Sequence, residues 1–134
     1  HNMKTGAMFG NLRNYENLSY YQRNPFVTFD TMYESGRYVI FSIAELSLNV
    51  KDHNYFSFGR LNSDNIAWRE ESISELKSHS VFFTDIDVQA EDQLLLLVTC
   101  VDDDEERRVV AARRIRDGET EESLKRTVNR AWKW

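Results

Sequence analysis

The stretch 94–100, Leu-Leu-Leu-Leu-Val-Thr-Cys, places five apolar residues in a row before a threonine and the single cysteine of the chain. A short continuous apolar run of this kind is typical of a β-strand that is buried on both faces. We predict a strand over Gln93–Cys100, followed by an acidic loop at Asp102–Glu106. Because a buried strand that ends at a polar loop presents its last side chain at the edge of a rigid scaffold, Cys100 is expected at such an edge.

Stretches on both sides of this run are rich in β-branched and aromatic residues. Phe26–Phe29 and Arg37–Ile43 predict strands, Ala44–Val50 continues the second strand or pairs with it, and Ser80–Val88 is expected to be extended. The sequence therefore predicts a mainly β, barrel-like fold with a few helices.

Arg108–Ile115 predicts one more strand, which ends before Gly118. If this strand runs antiparallel to Gln93–Cys100, with Val101–Arg107 as the connecting loop, the end of the first strand faces the start of the second. Arg108 would then lie near Cys100. An ordinary surface charge is the alternative interpretation of Arg108, and the residues alone leave both open.

Three segments predict helices. Asn11–Asn24 carries apolar residues three apart and ends at Pro25, and Asn62–Lys77 and Thr120–Trp134 have amphipathic patterns. In the middle helix the apolar residues are Ile66, Trp68, Ile73 and Leu76. In the C-terminal helix they are Leu124, Val128, Ala131 and Trp132. We expect the C-terminal helix to dock on the domain, with contact to a partner or to a membrane surface as the alternative.

Composition limits the classes of function. The chain has 134 residues, enough for one domain, and a net charge of −5 with a pI of about 5.2. An acidic balance argues against a nucleic-acid partner, whose phosphates favour a basic face. The one cysteine forms no zinc motif, and the acidic loop lacks the spaced oxygen ligands of a calcium loop, so no metal site is predicted.

Cys100 admits two interpretations. A lone cysteine is most often a small buried hydrophobe, whereas a nucleophilic cysteine needs a neighbouring base or cation. The candidates for that neighbour are the side chains of His1, His53, His79, Arg107 and Arg108. The loop Asp52–Arg60 is expected to expose three aromatic side chains, those of Tyr55, Phe56 and Phe58.

Three motifs in order, "HNMKTGAMFGNL" from His1, "LLLLVTC" to Cys100 and "RRVVAARRI" to Ile115, resemble the sortases, which are cysteine transpeptidases of Gram-positive cell surfaces. The resemblance is closest to class B, which carries a long helix at the place of Asn62–Lys77. The stretches "DHNYFSFGRLNSD" and "SHSVFFTDIDV" on either side of this helix also resemble class B. Val98 departs from the pattern, since class B usually has a serine there.

The resemblance implies the roles of the site residues. Cys100 would be the nucleophile, His1 the general acid and base, and Arg108 the residue that stabilises the oxyanion, although the assignment between Arg107 and Arg108 depends only on the Val-Val pair that follows. Thr99, with Tyr55, Phe56 and Phe58, would contact substrate. No metal or organic cofactor is needed.

The resemblance also implies an organisation and partners. Residues 1–117 would be the C-terminal portion of a sortase catalytic domain and 118–134 a helical tail, with the N-terminal helix, the first four strands and a membrane anchor upstream of His1. The substrate would be a threonine-containing sorting-signal peptide, and the acceptor an amine of a peptidoglycan precursor or a pilin lysine. The place of action would be the extracellular face of a Gram-positive cell membrane.

Two other classes of function remain to be weighed. A truncated or degenerate sortase-like domain would act as a binding or interaction module and would not need Cys100. A papain-like hydrolase is disfavoured, because that class places its cysteine at a helix start early in the chain, whereas Cys100 ends a late strand. Hydrolysis without transfer is a further outcome of a sortase-like site, since water can replace the amine.

Overall fold

A computed structural model describes residues 3–6 (as backbone), 12–101 and 105–134 of the chain. The strands are β1 (Met3–Gly6), β2 (Phe26–Asp30), β3 (Ser35–Ser47), β4 (Phe82–Phe83), β5 (Leu94–Cys100), β6 (Glu106–Arg114) and β7 (Trp132–Lys133). The helices are α1 (Leu18–Arg23), α2 (Phe58–Leu61), α3 (Ile66–Ser78) and α4 (Glu121–Val128), and a 3-10 turn spans Leu12–Glu16.

One five-stranded sheet, in the order β1-β5-β6-β3-β2, organises the fold. β5 lies between β6, to which it is antiparallel, and β1, to which it is parallel. Its four leucines, Leu94 to Leu97, are all buried, which confirms the prediction of a strand covered on both faces. β4 and β7 form a separate two-stranded sheet.

β3 is the longest strand and confirms the alternative in which Ala44–Val50 continues the preceding strand, as far as Ser47. It pairs with β2 on one side and β6 on the other, and its register with β6 shifts between Ile40 and Ser42. Such a bulge adds twist and curvature to a sheet. The result is the mainly β fold with helices that the sequence predicts.

The helix α3 packs against one face of the sheet. The side chain of Asn65 caps its N-terminus by accepting a hydrogen bond from the Trp68 amide, and the Ser42 hydroxyl on β3 donates to the Leu76 carbonyl. Ile73 and Leu76 are buried as predicted, but Ile66 and Trp68 are exposed. Arg69, not Ile66 or Trp68, is buried on the inner face of α3, because its guanidinium donates to the carbonyl oxygens of Leu61, Ala90 and Asp92.

Several boundaries differ from those predicted. The segment predicted as one helix over Asn11–Asn24 is a 3-10 turn followed by α1, with Asn17 as the N-cap between them. No strand is predicted from the sequence at Met3–Gly6, where β1 lies, because a short parallel strand depends on its partner and carries little pattern of its own.

The C-terminal helix is shorter than predicted. It ends at Val128, and Trp132 then pairs with Phe83 in the second sheet, so the Trp132 side chain is half exposed and does not continue the buried stripe. Leu124, Val128 and Ala131 belong to the same core as the main sheet, which confirms that the helix docks on the domain. The domain boundary after residue 117 stays a prediction. No helix in residues 12–101 and 105–134 has the length and apolar character needed to cross a membrane.

Candidate functional site at the Cys100 end of the sheet

Cys100 is the last residue of β5 and is exposed. Burial decreases along the strand, from the fully covered Leu96 through the half-buried Val98 and Thr99 to Cys100. The strand therefore runs from the core to the surface, where it ends with the exposed Cys100 thiol. The backbone pairing of β5 and β6 continues to this last residue, so the thiol sits on hydrogen-bonded sheet and not on a loose loop.

The register of the two strands determines which arginine accompanies the thiol. Cys100 lies directly opposite Arg107, and Thr99 lies opposite Arg108. Residues directly opposite each other in an antiparallel pair share a face, with Cβ atoms about 4.5–5.5 Å apart. The structure thus brings Arg107 to Cys100 and places Arg108 on the other face of the sheet.

Arg108 is engaged on that other face. Its Nε donates to Glu16 at 2.7 Å and its Nη2 to Glu45 at 3.0 Å, and its side chain is only 13% exposed. Glu45 is the residue opposite Arg108 on β3, and Glu16 comes from the 3-10 turn. The predicted antiparallel pairing is correct, but Arg108 does not face Cys100, because a difference of one position in a strand changes the face.

Arg107 lies on the same face of the sheet as α3. Leu96 and Cys100 are four positions apart on β5, so the pairs Leu96–Ala111 and Cys100–Arg107 lie on the same face of the sheet. Ala111 in turn lies opposite Ser42, whose hydroxyl bonds to α3. The Arg107 side chain is half-buried, and its Nη1 donates to the Glu106 carbonyl at 3.0 Å. Cys100 and Arg107 therefore lie on the face of the sheet that α3 covers, at the end of the β5–β6 strand pair.

The loop with the aromatic residues adjoins this end of the sheet. Ser47, at the end of β3, accepts a hydrogen bond from the Phe56 amide and donates its own amide to Asn54, and it lies opposite Glu106. Tyr55 is partly exposed and Phe58 half-buried, but Phe56 is 1% exposed and belongs to the core. The expectation that Phe56 is exposed is wrong, because the bonds to Ser47 turn its ring inward, where it meets Phe58 edge to face at 5.0 Å.

The remaining predicted site residues have fewer contacts that bear on the site. The Thr99 hydroxyl donates to the Cys100 carbonyl at 3.1 Å, which occupies it locally. His53 is exposed, and His79 caps the C-terminus of α3 through its backbone amide, so neither has a structural link to Cys100. His1 lies outside the described residues. In the part of the chain that the structure describes, no three His, Cys, Asp or Glu side chains converge on a metal site.

Sequence reasoning missed the pairing of Cys100 with Arg107 and the two carboxylates that hold Arg108. A signal was present, because two adjacent arginines at the start of a strand must point to opposite faces. The sequence could not say which face carries the cysteine, since that depends on the register of the turn.

Solved structures with the same arrangement of strands and helices identify the fold. The Staphylococcus aureus sortase B–substrate complex matches 87% of this chain with a TM-score of 0.63 and 24% identity. The chain has part of the sortase B fold. Clostridium perfringens sortase B matches 85% of it (TM-score 0.64, 26% identity), and a Bacillus anthracis protein described as similar to sortase B matches 84% (TM-score 0.65, 23% identity).

The chain corresponds to only part of each of these known proteins. The chain covers 55%, 64% and 51%, respectively, of those three sortase B chains, so it spans between half and two thirds of their length. No protein-family model and no curated protein sequence matches the chain significantly. One sortase B structure in this group is a substrate complex and another is a complex with triglycine.

Proposed function

We propose that the chain is the Cys100-bearing part of a sortase B-type cysteine transpeptidase. The observation that carries the proposal is the exposed Cys100 at the end of a buried strand, with Arg107 directly opposite it on β6, within part of a sortase B fold. The thiolate is the nucleophilic form of cysteine, and a cationic residue on the same face suits the negative charge that develops on the substrate during acyl transfer. The rigid pairing of β5 and β6 would hold the two groups in register throughout the reaction.

The reaction is acyl transfer. The Cys100 thiolate attacks the carbonyl carbon of the threonine in an Asn-Pro-x-Thr type sorting signal, and a tetrahedral oxyanion forms. The C–N bond then breaks, the amine leaves with a proton supplied by His1, and a thioester remains on Cys100. An acceptor amine attacks the thioester after losing its proton to His1, so the new amide forms and the thiol is regenerated.

We assign the arginine role to Arg107. The sortase resemblance, taken from sequence, pointed to Arg108, but the register supports Arg107, which shares a face with Cys100. A planar guanidinium with several donors suits an oxyanion or a substrate carbonyl. Arg108, bonded to Glu16 and Glu45, would position the start of β6 and act on the reaction only through the strand.

The substrate would be the sorting-signal peptide of a surface protein. Tyr55 and Phe58, on the loop tied to Ser47, and Thr99, next to the nucleophile, are the candidate contacts on this chain. Phe56 would support Phe58 from the core. The acceptor would be an amine of a peptidoglycan precursor or a pilin lysine, and the site of action the extracellular face of a Gram-positive cell membrane.

Intact mass of the full chain, with and without a sorting peptide, tests the nucleophile. We expect a mass gain equal to the acyl part of the peptide, abolished in Cys100→Ala. Arg107→Leu should abolish the adduct and Arg108→Leu should retain it in part; Arg107→Lys, which keeps the charge but loses the fork, should lie between. If Arg108→Leu forms no adduct while Arg107→Leu still does, the arginine that stabilises the oxyanion is Arg108 and not Arg107.

A sortase-like scaffold without activity is the second candidate, because the chain spans only part of the solved sortase B structures. Labelling by iodoacetamide separates the two. A thiol that is alkylated while no peptide adduct forms would favour the inactive scaffold, since the sulfur is then accessible but the rest of the site is incomplete. An adduct at Cys100 excludes that candidate.

A further inference from the structure

An open cavity of about 430 Å³ lies where the 3-10 turn, α1 and β7 meet, and three cationic side chains line it, those of Arg13, Arg23 and Lys133. Its volume is within the range of small-molecule sites in proteins. Glu16 also lines the cavity and accepts a hydrogen bond from Arg108, which lies on the face of the sheet opposite Cys100. The cavity wall is therefore tied to the side of the sheet away from the thiol.

Positive charge dominates this cavity, although the whole chain has a net charge of −5. Within residues 12–101 and 105–134, no carboxylate forms an ion pair with Arg13, Arg23 or Lys133. Glu16 is the one carboxylate among the lining residues, and its Oε1 already accepts from Arg108 at 2.7 Å. The three positive charges are therefore available to a ligand, and one with two or more negative charges balances them best.

Hydrogen-bond donors predominate on the cavity wall. The two guanidinium groups and the ammonium group are donors only. The Asn17 side-chain oxygen accepts from the Tyr20 amide at 3.2 Å, so this side chain still offers a ligand the two donors of its NH₂ group. Because the Glu16 carboxylate is already engaged by Arg108, the wall favours a ligand that consists mainly of acceptors, which is an oxyanion.

The elements around the cavity are joined by contacts that do not use its cations. Tyr20 packs edge to face on Tyr15 with ring centroids 4.8 Å apart, and the Tyr15 hydroxyl donates to the Asn24 carbonyl at the end of α1. The Gln22 side chain on α1 donates to three carbonyls in the segment that leads from α4 into β7, those of Val128, Asn129 and Ala131. The backbone positions of the three cations are thus set before a ligand binds, which lowers the entropic cost of binding.

We propose that this cavity binds a diphosphate group, with Arg13, Arg23 and Lys133 as its cationic contacts. A guanidinium has a planar fork of donors that matches phosphate oxygens, and an ammonium group binds phosphate as a point charge. A diphosphate spreads its negative charges over two adjoining phosphates, whereas a single carboxylate would leave two of the three cations unbalanced. A free nucleotide and an isoprenoid lipid both carry this group. The proposal does not depend on the transpeptidase chemistry.

Isothermal titration calorimetry of the full chain with inorganic pyrophosphate tests the site. We expect pyrophosphate to bind roughly 10-fold more tightly than inorganic phosphate, and both to bind more weakly at high ionic strength. Arg13→Gln and Arg23→Gln should each weaken pyrophosphate binding roughly 10-fold, because each removes a charge-assisted hydrogen bond, and the triple variant that adds Lys133→Gln should show no binding. All three side chains are exposed, so the variants should melt at the temperature of the parent chain.

A matched control and two further ligands sharpen the test. Lys51→Gln removes the same charge as Lys133→Gln from an exposed turn after β3 and should leave binding unchanged, whereas Lys133→Gln should weaken it roughly 5-fold. ADP and farnesyl diphosphate carry the diphosphate on a nucleoside and on an isoprenoid lipid. The tighter of these two identifies the source of the group, and pyrophosphate as the tightest of all three would indicate the free anion.

Four results would overturn the proposal. They are no binding of pyrophosphate to the parent chain at low ionic strength, equal affinity for phosphate and pyrophosphate, binding that the triple variant retains, and equal losses in the Lys51 and Lys133 variants. Tetraglutamate provides the remaining arm. If this acidic peptide binds the parent chain more tightly than pyrophosphate and does not bind the triple variant, the cavity is a docking site for an acidic protein segment and the diphosphate proposal is wrong.

Discussion

The two ends of the β5–β6 strand pair are built in opposite ways. At one end Leu94 lies opposite Arg113, whose side chain is 1% exposed and forms an ion pair with Glu119. At the other end Cys100 lies opposite Arg107 at the surface. The same two strands thus carry one buried arginine that forms an ion pair and another arginine that lies opposite an exposed cysteine.

The buried end is a connected network. Arg113 donates to both Glu119 oxygens at 2.7 and 2.8 Å and to the Asp87 carbonyl at 2.6 Å, and Arg116 donates to Asp92 and Asp87. Bidentate pairs of this kind lock the geometry of both partners. The sheet is therefore anchored at one end, and the residues of the other end can change with less cost in stability.

Removal of Arg113 should have the largest effect on stability. Arg113→Leu removes both guanidinium bonds to the Glu119 carboxylate and the bond to the Asp87 carbonyl, so that Arg116 is the donor left to each of them. The loss of this buried cation should cost about 3 kcal/mol in the free energy of unfolding. Urea unfolding monitored by circular dichroism measures it. The neighbour Arg114, half-buried with one bond to the Ser35 carbonyl, is the control, and Arg114→Leu should cost about 1 kcal/mol. A smaller loss for Arg113→Leu than for Arg114→Leu would contradict the anchored-end interpretation.

Acid should weaken the same end. The bond from Arg113 lowers the pKa of Glu119, while for Asp92 burial raises the pKa but the bond from Arg116 and other contacts outweigh it and lower it. Both folded pKa values lie below the unfolded ones, near 4. The stability that they contribute is therefore present above about pH 4 and is lost as the pH falls through the folded values.

Urea midpoints from pH 7 down to pH 2 measure this loss, which should set in as the pH falls below about 4. Asp92→Asn should lower stability at neutral pH and flatten the decline, because one of the titrating groups is gone. Asp117→Asn, at an exposed carboxylate two positions before Glu119, should leave the curve parallel to that of the parent chain. An equally steep decline in Asp92→Asn would refute the role of this residue.

The contrast between the two ends also explains what the sequence could predict. The leucine run and the Arg-Arg-Val-Val run identify β5 and β6 and their antiparallel pairing, because burial on both faces leaves a clear pattern. Phe26–Phe29 and Asn62–Lys77 likewise correspond to β2 and α3. The local sequence pattern was enough to predict a helix or strand wherever that element packs against the core.

Features that depend on two elements were not predictable. Register depends on pairing, so the sequence could not separate Arg107 from Arg108, and a shift by one position exchanges their faces. The burial of Phe56 depends on hydrogen bonds to Ser47, nine positions earlier. The end of α4 at Val128 depends on Phe83, with which Trp132 pairs. In each case a tertiary partner overrides the local pattern.

The two arginines at the Cys100 end provide a sharper test. Arg108→Leu removes two ion pairs, but Glu16 and Glu45 are partly exposed, so solvent screening reduces the expected loss to about 1 kcal/mol. Arg107→Leu should change the free energy of unfolding by about 0.5 kcal/mol or less. The order of the two variants should reverse when adduct formation is measured in place of stability. The same order in both measurements would mean that a single arginine supports fold and chemistry alike.

Cys100→Ala should have the smallest effect on stability, within about 0.5 kcal/mol, because the thiol is exposed. Leu96→Ala is the matched truncation on the same face of the same strand and should cost about 3 kcal/mol, since Leu96 is fully buried. Thermal and urea unfolding of the two variants measure the difference. A Cys100→Ala chain that is as stable as the parent but forms no peptide adduct would show that the end of β5 contributes chemistry without contributing to the fold. A Cys100→Ala chain that loses stability as Leu96→Ala does would instead mean that the thiol is part of the core, and the open end of the sheet would not be the place for a nucleophile.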